Sequence, residues 1–350
     1  MDCPAHDVRS DGEVPSKKNM TSLAICGVGN IGKVHIESLL SLRGCELSGI
    51  YDTNAQVCAQ VSRHFNLHSY GSLDQLLEDR RLNAVVIATP SSSHLELCRR
   101  VLAAGKHAFL EKPLANTLED SAAIVKLSEQ SGKIVQVGFC ERFNPCYLEA
   151  KRVAAEGRLG DIRAIQSSRV APYHLSDPTW ALGVLDTAVH NLDLILWLMG
   201  HPPLSVITRA ARIYPDSRIP DCATILLMFA GGALATDQIT WLEARAHPLN
   251  QCARSRIFIA GDKGAFELDL SDRPTCVLTP ERFSKIDSVV IGGPDYYGGL
   301  KLQFEYFLRS IELGEPVRAT VRDAFETERL AIAAYESLRT GREVTLSPCQ

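Results

Sequence analysis

The run Cys26-Gly27-Val28-Gly29-Asn30-Ile31-Gly32 constrains this chain more than any other, because it joins an apolar segment to a stretch of helical periodicity. Thr21 to Ile25 is short and largely apolar, as a buried parallel strand should be. From Ile31 to Leu42 the apolar residues Ile31, Val34, Ile36, Leu39 and Leu40 recur at helical spacing. Gly27, Gly29 and Gly32 fall between the two at the G-x-G-x-x-G spacing. In such a unit the first glycine permits a tight turn, the second lets backbone approach a pyrophosphate, and the third lets helix pack closely on strand. The helix start then offers unpaired N–H groups and a positive dipole end to phosphate. Taken alone, the same spacing also suits an ordinary glycine-rich turn.

Asp52 adds what the glycines lack. The second apolar run, Glu46 to Tyr51, ends at this acid, twenty residues after Gly32. An acid at the tip of that strand accepts both ribose hydroxyls of an adenosine. Strand, turn, helix, strand and acid in register predict a dinucleotide site. The carboxylate would repel a 2′-phosphate, and Thr53 and Asn54 follow it with no Arg beside it. NAD is therefore expected rather than NADP.

At 350 residues the chain is long enough for two domains, each with its own core. Its net charge of −4 leaves no basic footprint, which argues against nucleic acid or an anionic membrane as partner. No apolar run approaches the length of a membrane span. Residues 1–19 are polar, carry Pro4 and Pro15, and lack the apolar core of a signal peptide, so they read as a flexible tail. The eleven cysteines are scattered, odd in number and without a C-x-x-C pair, and Cys26, Cys98 and Cys222 sit in apolar segments. Buried free thiols in a reducing cytoplasm fit this pattern, and no metal site is expected.

After Asp52 helix and strand alternate: helices over 55–65, 73–77, 94–104 and 118–130, strands over 84–88, 107–110 and 134–137. Alternation of this kind predicts a doubly wound parallel sheet with helices on both faces, an α/β unit over residues 20–140. The pattern then changes. A helix (146–156), a strand (162–170), an irregular stretch with Pro172 and Pro178, and a long apolar helix (184–199) lead to strands over 205–213, 223–229, 233–241, 256–260 and 265–270. Gly231-Gly232 and Gly261-Asp262-Lys263-Gly264 suit antiparallel hairpins. Residues 141–319, with a helix over 299–313, are expected to form an α+β domain for substrate and oligomerisation, and 320–350 a closing helix.

Two segments carry candidate chemistry. Leu110-Glu111-Lys112-Pro113 ends a strand of the first domain, where ligands of open α/β sheets bind. A plain exposed Lys is the competing reading. In the helix Gly183 to Trp197, Asp186, His190 and Asp193 lie at i, i+4 and i+7 of an otherwise apolar sequence and share one stripe. Buried charges need partners or a polar cavity, so the stripe is either a structural network or a cleft-facing site. An Asp one turn before a His orients the imidazole and supports its protonated form. Tyr147-x-x-x-Lys151 matches the Y-x-x-x-K pair of short-chain dehydrogenases, but their T-G-x-x-x-G-x-G loop is absent and a surface helix is expected.

Glycine fingerprint, Glu111-Lys112-Pro113 and Asp186-x-x-x-His190-x-x-Asp193, in this order, resemble the glucose–fructose oxidoreductase/inositol dehydrogenase/MocA family over most of the chain. Thr89-Pro90-Ser-Ser-Ser-His94 resembles its nucleotide-contacting loop, and Asp323-Ala324 through Gly341 its closing helix, which packs back on the first domain. The resemblance implies a Rossmann domain followed by an α+β domain with a large open, mainly antiparallel sheet, assembled as a homodimer or homotetramer. It places Gly27, Gly29, Asn30, Ile31, Gly32, Asp52, Thr89, Pro90, His94, Glu111 and Lys112 at the cofactor. It implies Lys112, Asp186 and His190 as the catalytic trio: His190 takes a hydroxyl proton, Lys112 holds that oxygen, and Asp186 sets the His190 tautomer. Two departures are visible: Asn191 where many members have Asp, and a short segment between Trp180 and Asp186.

Val137 to Pro145, Arg169-Val170-Ala171-Pro172 and Gly183-Val184-Leu185-Asp186 look similar to UDP-N-acetylglucosamine 3-dehydrogenases of that family. This implies oxidoreduction at a ring hydroxyl, C3, of a substituted hexose or amino sugar, nucleotide-linked or aminoglycoside-type. Arg142 and Arg169, with Lys112 and His190, are then candidate substrate contacts, although a structural ion pair suits each Arg equally. An inositol 2-dehydrogenase is the alternative, because Asp186-Thr-x-x-His190-x-x-Asp193 is also close to those enzymes. A non-catalytic NAD(H)-binding regulator is the alternative of another class.

Overall fold

The computed structural model describes residues 20–172, 185–213, 220–242, 254–270, 275–279, 282–286 and 298–347. The expected tail over 1–19 and the readings on Pro178, Trp180, Gly183 and Val184 lie outside them. Apolar segments bounded by turns build the first layer: β1 (Thr21–Cys26), α1 (Asn30–Leu40), β2 (Cys45–Tyr51), α2 (Ala55–Phe65), α3 (Leu73–Glu78), β3 (Ala84–Ile87), α4 (His94–Ala103), β4 (His107–Leu110), α5 (Leu118–Ser131) and β5 (Val135–Val137). The five strands pair in parallel in the order β2-β1-β3-β4-β5. Every residue of β1, β3 and β5 is buried, as a sheet covered on both faces requires.

The second layer follows: α6 (Pro145–Ala155), β6 (Ile162–Pro172), α7 (Leu185–Met199), β7 (Ser205–Ala211), β8 (Cys222–Met228), β9 (Leu234–Leu242), β10 (Arg254–Gly261), β11 (Ala265–Asp269), β12 (Thr275–Thr279), β13 (Arg282–Ile286), α8 (Gly298–Leu313), α9 (Val321–Thr340) and β14 (Val344–Thr345). Nine strands form one sheet in the order β13-β12-β11-β10-β6-β9-β8-β7-β14. Both glycine-marked turns join antiparallel neighbours, β8 to β9 and β10 to β11. Among the described strands of this sheet the one parallel pair is β6 with β9. The sheet is thus mixed. Strands β12 and β13, in a region where sequence periodicity marked none, extend one edge.

Strict alternation gives this sheet two unlike faces. Ile165, Ser167, Arg169 and Ala171 on β6, and Ala235, Asp237, Ile239 and Trp241 on β9, are buried. The intervening Gln166, Ser168, Thr236 and Gln238 line an open cavity of about 670 Å³ on the opposite face. The buried side packs α7 and half of α9 into one core with Leu192, Ile195, Leu330 and Ala334.

The expected division at residue 319 needs correction. Helix α8 belongs to the first domain's core: Phe304 and Phe307 are fully buried, with ring centroids 4.7 and 5.8 Å from that of Phe109 on β4. Burying each such ring stabilises by roughly 1.5–3 kcal/mol, so sequence order yields to apolar surface. The closing helix α9 serves both layers. Val321 and Ala324, with Ala319 just before the helix, join the first core, while Leu330, Ala331, Ala333 and Ala334 join the second. The Tyr147–Lys151 pair is also not on a surface. Tyr147 is fully buried with its hydroxyl 2.7 Å from Ser255 Oγ, and Lys151 Nζ donates to the Trp197 carbonyl.

Candidate active site

Three turns at the carboxyl ends of β1, β2 and β3 enclose a cavity of about 470 Å³. The glycine loop forms one wall. Gly27 has φ +93°, and a Cβ there would meet the Ala88 carbonyl oxygen at 2.6 Å. A Cβ on Gly32 would stand 2.1 Å from the Gly27 carbonyl oxygen, so α1 packs on β1 only with glycine there. At Gly29 the same addition meets nothing within 4 Å, so the backbone faces open space. Asn30 and Ile31 open α1 and are exposed, and the helix start has no side-chain cap. Its N–H groups are thus available to an anion.

Asp52 faces the same cavity. The backbone N–H of Val28 donates to its Oδ2 at 2.9 Å and that of Asn54 to its Oδ1 at 2.8 Å. These bonds fix the carboxylate and leave it lone pairs for ribose hydroxyls. Thr89 and Pro90 line the far wall. The donor set and the glycine cradle fit an NAD-type dinucleotide. Leu97 and Arg100, three residues apart on α4, also line this cavity, and Arg100 pairs with Asp74 of α3. An Arg therefore stands in the cavity of Asp52 although none adjoins it in sequence. That pair was missed because its signal is a helical spacing next to a loop motif, which is legible only once the loop is known to face a ligand.

His94 and Glu111 act behind the cavity wall. His94 is buried, with Nε2 2.9 Å from the Thr89 carbonyl oxygen and Nδ1 3.1 Å from that of Leu114. Burial holds its pKa down, and a neutral ring donates to only one of the two. It braces the Thr89–Pro90 loop, which lines the cavity, against the segment after β4. Glu111 is likewise buried. Its Oε1 lies 2.7 Å from Nε2 of the fully buried His35 on α1, and its Oε2 accepts from the Lys112 N–H at 3.1 Å. The acid ties α1 to the turn that presents Lys112, whose peptide to Pro113 is cis.

The α7 stripe divides. His190 is half-buried and its Nδ1 is sealed, without a hydrogen-bond partner among the described residues. Burial first, then the Lys112 ammonium and the Arg169 guanidinium, hold the imidazole pKa well below the usual range. Lys112 stands in the turn after β4 of the first domain and His190 on α7 of the second. Asp186 lies in α7 one turn earlier; its side chain is outside the described residues. Asp193 turns away, to a bidentate pair with Arg142, Nε–Oδ2 2.8 Å and Nη2–Oδ1 2.7 Å.

Both candidate substrate arginines take part in buried ion pairs, the structural alternative expected for each. Arg142 is buried against Asp193, with Nη1 3.1 Å from Asp323 and 2.9 Å from the Arg318 carbonyl oxygen. Arg169 is buried between Glu141 (Nη2–Oε1 2.7 Å) and Asn191 (Nε–Oδ1 3.0 Å). Buried guanidinium groups hold charge only with such partners.

Two family models match. Residues 21–139 match the oxidoreductase family with an NAD-binding Rossmann fold, and residues 147–267 the GFO/IDH/MocA C-terminal domain. The chain belongs to the GFO/IDH/MocA family. It is an NAD-binding oxidoreductase. It is 25% identical over 333 residues to the scyllo-inositol 2-dehydrogenase (NAD(+)) of Bacillus subtilis, covering 92% of this chain and 95% of that one. It is 27% identical over 211 residues to the UDP-N-acetylglucosamine 3-dehydrogenase of Acidithiobacillus ferrooxidans, covering 60% and 64%. The crystal structure of GenD2 from gentamicin A biosynthesis in complex with NAD superposes with a TM-score of 0.78 at 22% identity, covering 97% of this chain and 99% of that chain. Among the described residues of this GFO/IDH/MocA member no His, Cys, Asp or Glu cluster could hold a metal, and no helix is long and apolar enough to cross a membrane.

Proposed function

We propose that this protein is an NAD-dependent dehydrogenase acting on a ring CH–OH of a sugar or cyclitol, with Lys112, Asp186 and His190 as its catalytic residues. The observation that carries the reading is the cavity built by the glycine loop and Asp52 at the carboxyl ends of β1 to β3, with Lys112 following β4 at the same edge of the sheet. NAD supplies the hydride acceptor when bound. Gly27, Gly29 and the start of α1 hold its pyrophosphate, and Asp52 its ribose, which favours NAD over NADP. His190, kept neutral by burial and two cations, accepts the hydroxyl proton. Lys112 holds the same oxygen and stabilises the negative charge that develops on it. Asp186, one turn before, orients the imidazole.

For the substrate we favour C3 of a substituted hexose or amino sugar, supported by the motifs flanking β5, β6 and α7 and by the likeness to the UDP-N-acetylglucosamine enzyme. Inositol is the second reading, favoured by a full-length match to an inositol dehydrogenase. UDP-sugars, aminoglycosides and inositols incubated with NAD, or their ketones with NADH, decide by nicotinamide absorbance. Preference for free inositol removes the hexose reading and keeps the mechanism. Tight NAD binding with no turnover on any of them would instead mean a non-catalytic regulator. We also propose a cytoplasmic homodimer or homotetramer through the open sheet face. Phe258→Asp, in the middle of that face, should yield monomers in light scattering.

A further inference from the structure

We propose that Asn191, held between Arg169 and Asp237, is a positioning residue for His190, and that the chain Glu141–Arg169–Asn191–Asp237 fixes a permanent cation beside the imidazole. The inference rests on reading His190 as the proton acceptor. Asn191 is 1% exposed, and both ends of its amide are used. Its Oδ1 accepts from Arg169 Nε at 3.0 Å and its Nδ2 donates to Asp237 Oδ1 at 2.7 Å. An arginine only donates and a carboxylate only accepts, so these partners dictate which way the amide points. Asp237 Oδ1 also accepts from Ser167 Oγ at 2.7 Å, and Arg169 Nη2 reaches Glu141 Oε1 at 2.7 Å. Four elements therefore meet at the residue after His190: the turn following β5, then β6, α7 and β9.

The partners on either side suit an amide at position 191 and not an acid. An Asp there would set two carboxylates at hydrogen-bond distance in a dry interior, and one of them would have to hold a proton. Asp237 already has Oδ2 buried without a partner among the described residues, and an Asp at 191 would also remove the amide donor to its Oδ1. With Asn, one negative charge faces Ser167 and Asn191 while Arg169 is turned toward Glu141. Among the described residues the charged groups around His190 are then Lys112 from the turn after β4, Arg169 from β6, and, beyond Arg169, Glu141 and Asp237. Asp193 one turn later is neutralised by Arg142, Lys151 of α6 faces Trp197, and Glu328 of α9 faces the segment after Pro113. Asp186 lies on the same helix, its side chain outside the described residues. The two cations disfavour a third charge on the ring.

The test exchanges acid and amide. In N191D/D237N each hydrogen bond has a counterpart, but a carboxylate moves next to His190 and directly onto Arg169. His190 protonation is followed by NMR of imidazole-labelled full-length protein, assigned with H190A, alongside the acid limb of kcat/KM. We expect the His190 midpoint and the limb to rise together by about one pH unit in N191D/D237N and in R169Q, and to stay in place in R169K, which keeps the charge. Unshifted midpoints in folded N191D/D237N and R169Q would overturn the proposal, and the exchange variant carries the test alone if R169Q does not fold. If midpoints shift while H190A keeps full turnover, the electrostatic coupling stands and the catalytic reading of His190 falls.

Discussion

Lys112 and His190 touch neither wall of the adenosine cavity, so their removal separates chemistry from cofactor binding. Lys112→Ala and His190→Ala should each lower kcat by about 100-fold or more while NAD affinity by calorimetry changes little. Near-normal rates in either variant remove it from the mechanism. Because burial and two cations depress the His190 pKa, the acid limb of kcat/KM in the parent protein should lie below the ordinary imidazole range near 6.5. A limb at or above that range contradicts the assignment. Asp52→Ala removes ribose bonds and a repulsive charge together, while Arg100 stays in the same cavity. NAD should bind about tenfold more weakly and discrimination against NADP should shrink. A parent protein that already prefers NADP would mean that Arg100, rather than Asp52, decides the choice.

At the scale of elements, α7 is the piece that must be held in register, since it carries His190 across the cleft from Lys112. Arg142, in the turn after β5, clamps it through Asp193, both at most 2% exposed in their side chains. Arg142→Ala leaves Asp193 buried without its counter-ion and should destabilise by about 3–5 kcal/mol, read from denaturant unfolding. A loss under about 1 kcal/mol would show that water replaces the guanidinium. The contact of α1 with β1 is equally exacting. Gly32→Ala drives a methyl into the Gly27 carbonyl oxygen and should abolish NAD binding before it unfolds the domain. Retained affinity would mean that the loop has room to shift. The helices themselves were legible, because apolar spacing is a local signal; the structure adds the caps Asn54, Thr117 and Thr320. What α7 would bind was not, since the Asp193 partner is 51 residues away and the Asn191 partner on β9 is 46 away.

For the whole molecule, α9 is the element that joins the layers, and Glu328 is its buried polar contact with the segment after Lys112. The carboxylate accepts from the N–H groups of Leu114 and Ala115 and from Ser121 Oγ, yet burial outweighs these donors and pushes its pKa up to about 7. An acid whose folded pKa is raised stabilises the fold fully below its unfolded pKa, near 4.5, and loses that contribution as pH rises through the folded value. From pH 4.5 to pH 8 this group should withdraw on the order of 2–3 kcal/mol. Glu328→Gln keeps an acceptor for both N–H groups and cannot ionise. Its thermal stability should therefore fall less between pH 5 and pH 8 than that of the parent protein, and parallel curves would refute the linkage.

Glycine spacing, the acid at Asp52, the alternation of helix and strand, and the two hairpin turns were determined by the sequence itself. Each is a contact between neighbours along the chain, or a periodicity imposed by one element's own geometry. The tertiary structure alone decided that α8 joins the first domain's core, that Arg142 and Arg169 serve ion pairs, that His94 and Glu111 support the cleft from behind, and that Arg100 enters the cavity of Asp52. The reason is shared. A buried charge or ring takes its role from whichever partner folding brings within about 3 to 6 Å, and no local pattern records which one that is.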